Sequence, residues 1–180
     1  MVTHLLVGVI ACVRAHAACT CIPGPRLTSH ADAAAQLSPF AAVFEGTVVS
    51  TSYVEDSVVA VAADDSTRTP RAFRWTDLEI TLTVGRHWKG ELRDIVTLRT
   101  PASTTMCGAE FTEGRTYLVF AQSSDYTGLG AARPARVNEV VYTTKCSPTT
   151  RGRDARRTAA LLGRPLPITQ SPGRAVTPKA

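Results

Sequence analysis

The 180-residue sequence has no apolar run approaching the 18 or so residues of a membrane helix, which excludes a polytopic membrane protein. It also lacks a G-x-S-x-G elbow, an H-E-x-x-H pair, a P-loop and a G-x-G-x-x-G turn, so the common hydrolase and nucleotide signatures are missing. Histidine is scarce. Beyond residue 18 only His30 and His87 occur, and His87 sits between Arg86 and Trp88 at a predicted strand end, where a structural or surface role fits better than a catalytic one. The paired carboxylates Asp64-Asp65 fall in a polar stretch and read as a solvated turn. With no convergent acid–base pair, the chain is not expected to be an enzyme or to carry a cofactor. No solenoid period is present, and an apolar content of 44% is too high for wholesale disorder.

Lysine is rare as well, three against seventeen arginines, a bias that reflects genome base composition more readily than function. The formal charge of +5 is unevenly spread. Residues 151–180 carry seven Lys/Arg against one Asp, whereas residues 19–150 carry twelve against fourteen acidic residues, and Arg14 adds one more positive charge. The body is therefore slightly acidic. No nucleic-acid partner is expected for it, and affinity for an anionic cell surface or glycan would belong to the basic tail.

The first eighteen residues read as a signal peptide. Leu5–Val13 is a short apolar stretch, followed by Arg14 and Ala15-His16-Ala17, whose small residues at −3 and −1 favour cleavage after Ala17. Cleavage after Ala18 also leaves Ala at −1. Val9-Ile10-Ala11-Cys12 matches a lipoprotein box, in which Cys12 would be lipidated and the protein anchored or periplasmic; the plainer reading makes Cys12 an apolar leader residue. In each case the chain is exported, and secretion is the expectation.

Without the leader the cysteines number four: Cys19, Cys21, Cys107 and Cys146. An even set in an exported chain argues for two disulfides, and an oxidised Cys107 cannot act as a nucleophile. Three pairings exist. Cys19–Cys21 would close an uncomfortably tight loop, which leaves the two long-range arrangements open. A four-thiolate zinc site is the rival, but the paired C-x-x-C knuckles of such sites are absent. A cross-link around a loop of about ninety residues is worth on the order of 4–5 kcal/mol in the chain-entropy model.

The body reads as short strands between turns, one domain in all. Thr28-Ser29 can cap a short helix over Ala31–Leu37, with Asp32 in its first turn and Pro39 beyond its end. Ala42–Tyr53 is rich in β-branched and aromatic residues and reads as a strand bent or bulged at Gly46. Glu55–Pro70 reads as a loop or irregular hairpin arm. Phe73–Trp88 alternates apolar and polar residues as a half-buried strand does. Ile95–Arg99, Thr116–Ala121 and Val137–Thr144 are further strands, the second of them apolar enough to be buried on both faces. Strands at this spacing predict an all-β barrel or sandwich. Arg153–Leu162 is a possible helix stopped by Gly163, and the Pro-rich remainder makes residues 151–180 a basic, largely disordered tail.

Several fragments stand in order along the chain: Cys19-Thr20-Cys21-Ile22-Pro23, Val43-Phe44-Glu45-Gly46, Trp88-Lys89-Gly90, Thr100-Pro101-Ala102 leading to Cys107-Gly108, and Thr143-Thr144-Lys145-Cys146-Ser147. This set resembles the N-terminal domain of the tissue inhibitors of metalloproteinases, a netrin-like module. The likeness spans residues 19–150. It implies a small five-stranded OB-like barrel with one or two short helices, stapled by disulfides Cys19–Cys107 and Cys21–Cys146. It further implies a monomeric secreted inhibitor of a zinc metalloproteinase. In that family the α-amine and carbonyl of the first cysteine, here Cys19, chelate the protease's zinc. The next side chain, here Thr20, enters the specificity pocket, and Cys21, Thr105 and Met106 complete the contact. Two family features are absent, a third disulfide in this domain and a Cys-rich C-terminal domain. Netrin-like modules also occur in proteins that inhibit no protease, which makes an exported binding module the second reading.

Overall fold

The computed structural model describes residues 19–21, 28–60, 71–123 and 135–168. The leader with Cys12, the Asp64-Asp65 pair and the end of the chain past Ile168 lie outside the described residues. In order, the elements are α1 (His30–Leu37), β1 (Ala42–Ala60), β2 (Arg71–Lys89), β3 (Ile95–Pro101), a 3-10 turn (Thr104–Met106), β4 (Thr116–Ser123), β5 (Val141–Tyr142), β6 (Thr150–Arg151) and α2 (Gly152–Leu161). The chain is mostly β with two helices.

Five strands close into a ring. β1 pairs antiparallel with β2 along its whole length and with β4 through Ala42–Thr47. β3 lies antiparallel to β2 and parallel to β5, and β5 returns antiparallel to β4. β6 adds to β4 at Tyr117 and Leu118. β1 can turn between two partners because its register with β2 shifts at Val43/Phe44, Glu45/Gly46 and Val48/Ser50. The bend expected at Gly46 is one of these, and a Cβ there would lie 3.2 Å from both Leu82 Cβ and Phe44 Cε2.

The ring encloses the larger apolar cluster, which includes Phe44, Val48, Ile80, Leu82, Leu98, Val119 and Val141. A second cluster lies on the opposite face of β1 and β4, where Val43, Leu118 and Phe120 meet Phe40, Trp88 and the small residues Ala155 and Ala159 of α2. β4 is therefore buried on both faces, which explains its continuous apolar run. Each large side chain so buried contributes about 1.5–3 kcal/mol.

α1 begins with the expected cap. Ser29 Oγ accepts from Asp32 N at 3.1 Å while Asp32 Oδ2 accepts from Ser29 N at 3.0 Å, a reciprocal capping box. The Thr28 hydroxyl donates to the same carboxylate at 2.8 Å and, with Ser29, holds its pKa below the usual value. At the other end Lys89 Nζ donates to the carbonyls of Leu37 and Ser38 at 2.9 and 3.0 Å, so the end of β2 anchors the helix.

Three expectations need correction. The arm Glu55–Pro70 is strand through Ala60, because β2 supplies hydrogen-bond partners as far as the Ala60↔Arg71 pair. The strand expected over Val137–Thr144 shrinks to Val141–Tyr142, since Asn138 takes a left-handed φ of 64° and the Glu139 N–H closes a turn onto the Arg136 carbonyl. The third concerns the basic tail. Residues 151–168 belong to the folded body: α2 packs Ala155 and Ala159 against β4, and the Trp88 indole donates to the Gly163 carbonyl at 2.9 Å. Two small apolar residues one turn apart let the helix approach the sheet closely, and a buried indole N–H requires an acceptor.

The same segment covers His87, whose carbonyl accepts from Leu166 N at 2.7 Å. His87 is only 3% exposed, its Nδ1 has no hydrogen-bond partner among the described residues, and burial lowers its pKa. The unfolded chain then binds a proton that the folded chain resists, so stability is full above about pH 6.5 and falls as the pH drops below it. Urea midpoints should decline between pH 7.5 and 5.5, a window above the titration of Asp32, and the decline should flatten in His87→Gln. A midpoint constant across that window in the native protein would contradict this.

Candidate functional site

The N-terminal segment, the 3-10 turn and the 144–147 turn meet at one end of the ring. Cys19 is joined to Cys107 and Cys21 to Cys146, with Cα–Cα separations of 5.3 and 5.0 Å. These are the pairs implied by the resemblance. The bridges lie side by side, with Cys19 Sγ 3.8 Å from Cys146 Sγ. Three of the sulfurs fall within 4.8 Å of one another, a grouping produced by adjacent bridges; a sulfur in a disulfide offers no thiolate to a metal. Disulfides of this kind persist in non-reducing compartments. No described helix is long and apolar enough to cross a membrane.

The segment before Cys107 is built by local hydrogen bonds. The Ser103 hydroxyl caps the 3-10 turn by accepting from Thr105 N at 3.3 Å, and the turn ends on Cys107 in the left-handed region at φ 67°. Gly108 follows, buried, its N–H donating to the Ser103 carbonyl at 2.9 Å. A Cβ on Gly108 would sit 2.0 Å from the Pro101 carbonyl oxygen and 2.9 Å from that of Ser103. Below it, fully buried Thr100 accepts from Ala109 N at 2.9 Å, which ties the loop to the end of β3.

The third segment is tied to the core and to the turn. Thr143, buried, donates from its hydroxyl to the Phe120 carbonyl at 3.0 Å and from its N–H to the Arg99 carbonyl at 2.9 Å. Lys145 then crosses to the 3-10 turn, donating from its backbone N to the Cys107 carbonyl and from Nζ to the Thr104 carbonyl, both at 2.8 Å. The Thr144 hydroxyl accepts from Cys146 N at 3.2 Å, and Ser147 closes the turn.

Cys19, Thr20, Cys21, Thr105 and Met106 therefore share one surface ridge, with Thr20 and Thr105 exposed and Met106 54% exposed. Apart from Met106, its exposed surface is hydroxyl-bearing. Beside it runs a groove of about 460 Å³ lined by Thr104, Gly108, Glu110, Tyr117, Thr144 and Lys145, among others. Lys145 and Gly108 were present in the quoted fragments, but sequence reading gave them no part in the site. The Cys-Gly dipeptide was the available signal for Gly108; nothing in the sequence predicts the double reach of Lys145. Chemically, the ridge is a braced, solvent-exposed edge whose backbone groups can be presented to a partner.

No protein-family model matches the chain, and no curated protein matches it.

Proposed function

We propose that this chain is a secreted inhibitor of zinc metalloproteinases, a netrin-like module on an OB-type barrel whose warhead is a mature N-terminus at Cys19. One observation carries the reading: two adjacent disulfides clamp Cys19-Thr20-Cys21 against the 3-10 turn and the 144–147 turn. The ring in which β1 meets both β2 and β4, with β3 parallel to β5, supports the barrel.

The chemistry follows from the ridge. A free amine on Cys19 and the Cys19 carbonyl oxygen form a five-membered chelate with a protease's zinc and displace the water that would attack the substrate. The amine must be neutral, which metal binding achieves readily for a group of pKa about 8. The disulfide to Cys107 fixes the wedge before binding and so reduces the entropy lost on association. Thr20 is then presented to the specificity pocket.

The reading requires cleavage directly before Cys19. N-terminal sequencing of the secreted protein should therefore begin at Cys19, and this form should inhibit members of a panel of zinc endopeptidases. Retaining Ala18 should weaken inhibition by a factor of about 100 or more, because the amine becomes an amide and the chelate is lost. Thr20→Gly should instead reorder the proteases inhibited. A chain starting at Cys19 that leaves the whole panel uninhibited ends the proposal.

A further inference from the structure

A second hollow, on the other side of β6 from the ridge groove, has a different character. Arg151 lines both. The hollow measures about 820 Å³ and is bounded by Glu45, Arg86, Gly114, Arg115, Thr116, Arg151, Gly152, Ala155 and Arg156. Four arginines face it against one carboxylate. They arrive from four places: the end of β2, the turn before β4, β6 and the first turns of α2. Arg86 is held in place, its guanidinium 2.6 Å from Glu45 Oε2 and 5.5 Å from the centre of the Trp88 ring. Arg115 and Arg156 are exposed at the rim. Arg151 is the N-cap of α2, its own side chain makes no cap hydrogen bond, and Gly152 of the helix start borders the hollow.

We infer that this hollow binds a sulfated oligosaccharide, its sulfate esters taken by the convergent guanidiniums of Arg86, Arg115, Arg151 and Arg156. Guanidinium forks match the oxygens of sulfate in pairs and remain charged at any physiological pH. Four such groups spread round one concavity fit a ligand with several anionic groups better than a single small ion. The lining contains no aromatic ring on which a nucleobase could stack, which disfavours single-stranded nucleic acid. It contains no apolar side chain larger than Ala155 and so offers nothing to insert into a lipid layer. The disulfides also belong to compartments outside the reducing cytosol, where sulfated glycans occur. Every residue named in the hollow's lining belongs to the described body. The site stands whether or not the ridge inhibits a protease.

The test is calorimetric titration of the full mature chain with a heparin-derived hexasaccharide at 50 mM NaCl. Arg115→Ser/Arg156→Ser should lose about tenfold or more in affinity. Arg153→Ser/Arg157→Ser removes the same amount of charge, from α2 positions near Arg156 that do not line the hollow, and it should lose less than about threefold. All four side chains are exposed, and thermal midpoints check that both variants fold; the single variant Arg115→Ser reads the site on its own if the pair does not. Equal losses in the two pairs would overturn the assignment by showing only diffuse attraction. Absence of binding by the native protein would overturn it outright. So would a single-stranded 20-mer DNA that binds as tightly as the hexasaccharide and weakens in parallel in Arg115→Ser/Arg156→Ser.

Discussion

Replacing Cys21 and Cys146 together by serine is expected to lower the unfolding free energy by about 4 kcal/mol, and replacing Cys19 and Cys107 should remove about the same amount. The loops closed by the two bridges differ, spanning 125 and 88 residues in sequence. Yet each bridge acts on an unfolded chain already closed by the other. With either one intact, the second closes only the short path from Cys19 to Cys21 and the stretch from Cys107 to Cys146, roughly 40 residues in all. The two losses should therefore be alike despite the different separations. Removing both bridges should cost about 8–9 kcal/mol, which is comparable to the whole stability of a small domain. Urea denaturation of the three variants measures this. Single losses below about 2 kcal/mol would show that the unfolded ensemble gains little freedom when a bridge is cut.

Gly108→Ala should be nearly as damaging, at about 3–4 kcal/mol, although it adds a single methyl group. The new carbon would lie 2.0 Å from the Pro101 carbonyl oxygen, and that obstacle is backbone. No side-chain rotation relieves it. Either β3 loses its last residue or the 3-10 turn swings away, and in the second case Thr105 and Met106 move with it. The variant should therefore lose thermal stability and, if the ridge is an inhibitory wedge, inhibition as well. Gly114→Ala is the useful comparison. Its φ of 73° carries some strain, but nothing lies within 4 Å of the added carbon, so its loss should stay near 1 kcal/mol. Equal losses at the two positions would mean that the loop yields around the added methyl group, and that the close approach to Pro101 does not make glycine necessary at 108.

Much of the local structure was legible because it depends on neighbours in sequence. The capping box of Ser29 and Asp32 lies within four residues and needs no tertiary partner. Alternation at Leu78, Ile80, Leu82 and Val84 marked the half-buried face of β2, and the unbroken apolar run of β4 marked a strand covered on both sides. Gly46 marked the bulge, since a bent strand with Leu82 and Phe44 crowding it leaves little room for a side chain. The even cysteine count pointed to two bridges for a chemical reason that operates without a fold.

Contacts between distant residues were decided elsewhere. Periodicity says which face of a strand is apolar but not which strand it pairs with. The closure of the ring through β1 and β4 therefore rests on register shifts that the sequence marks at only one glycine. The helix of residues 152–161 was visible as a helix, but its place in the body depends on a site for Ala155 and Ala159 between Phe40, Trp88 and Phe120. Composition alone made that segment look like part of a tail, because three exposed arginines outweigh two small apolar residues in any average. His87 lost its hydrogen-bonding freedom only when the chain around Leu166 came back across it. The arginine hollow has the same origin. Seventy residues separate Arg86 from Arg156, and it is the docking of α2 beside β4 that turns four scattered charges into one concave surface.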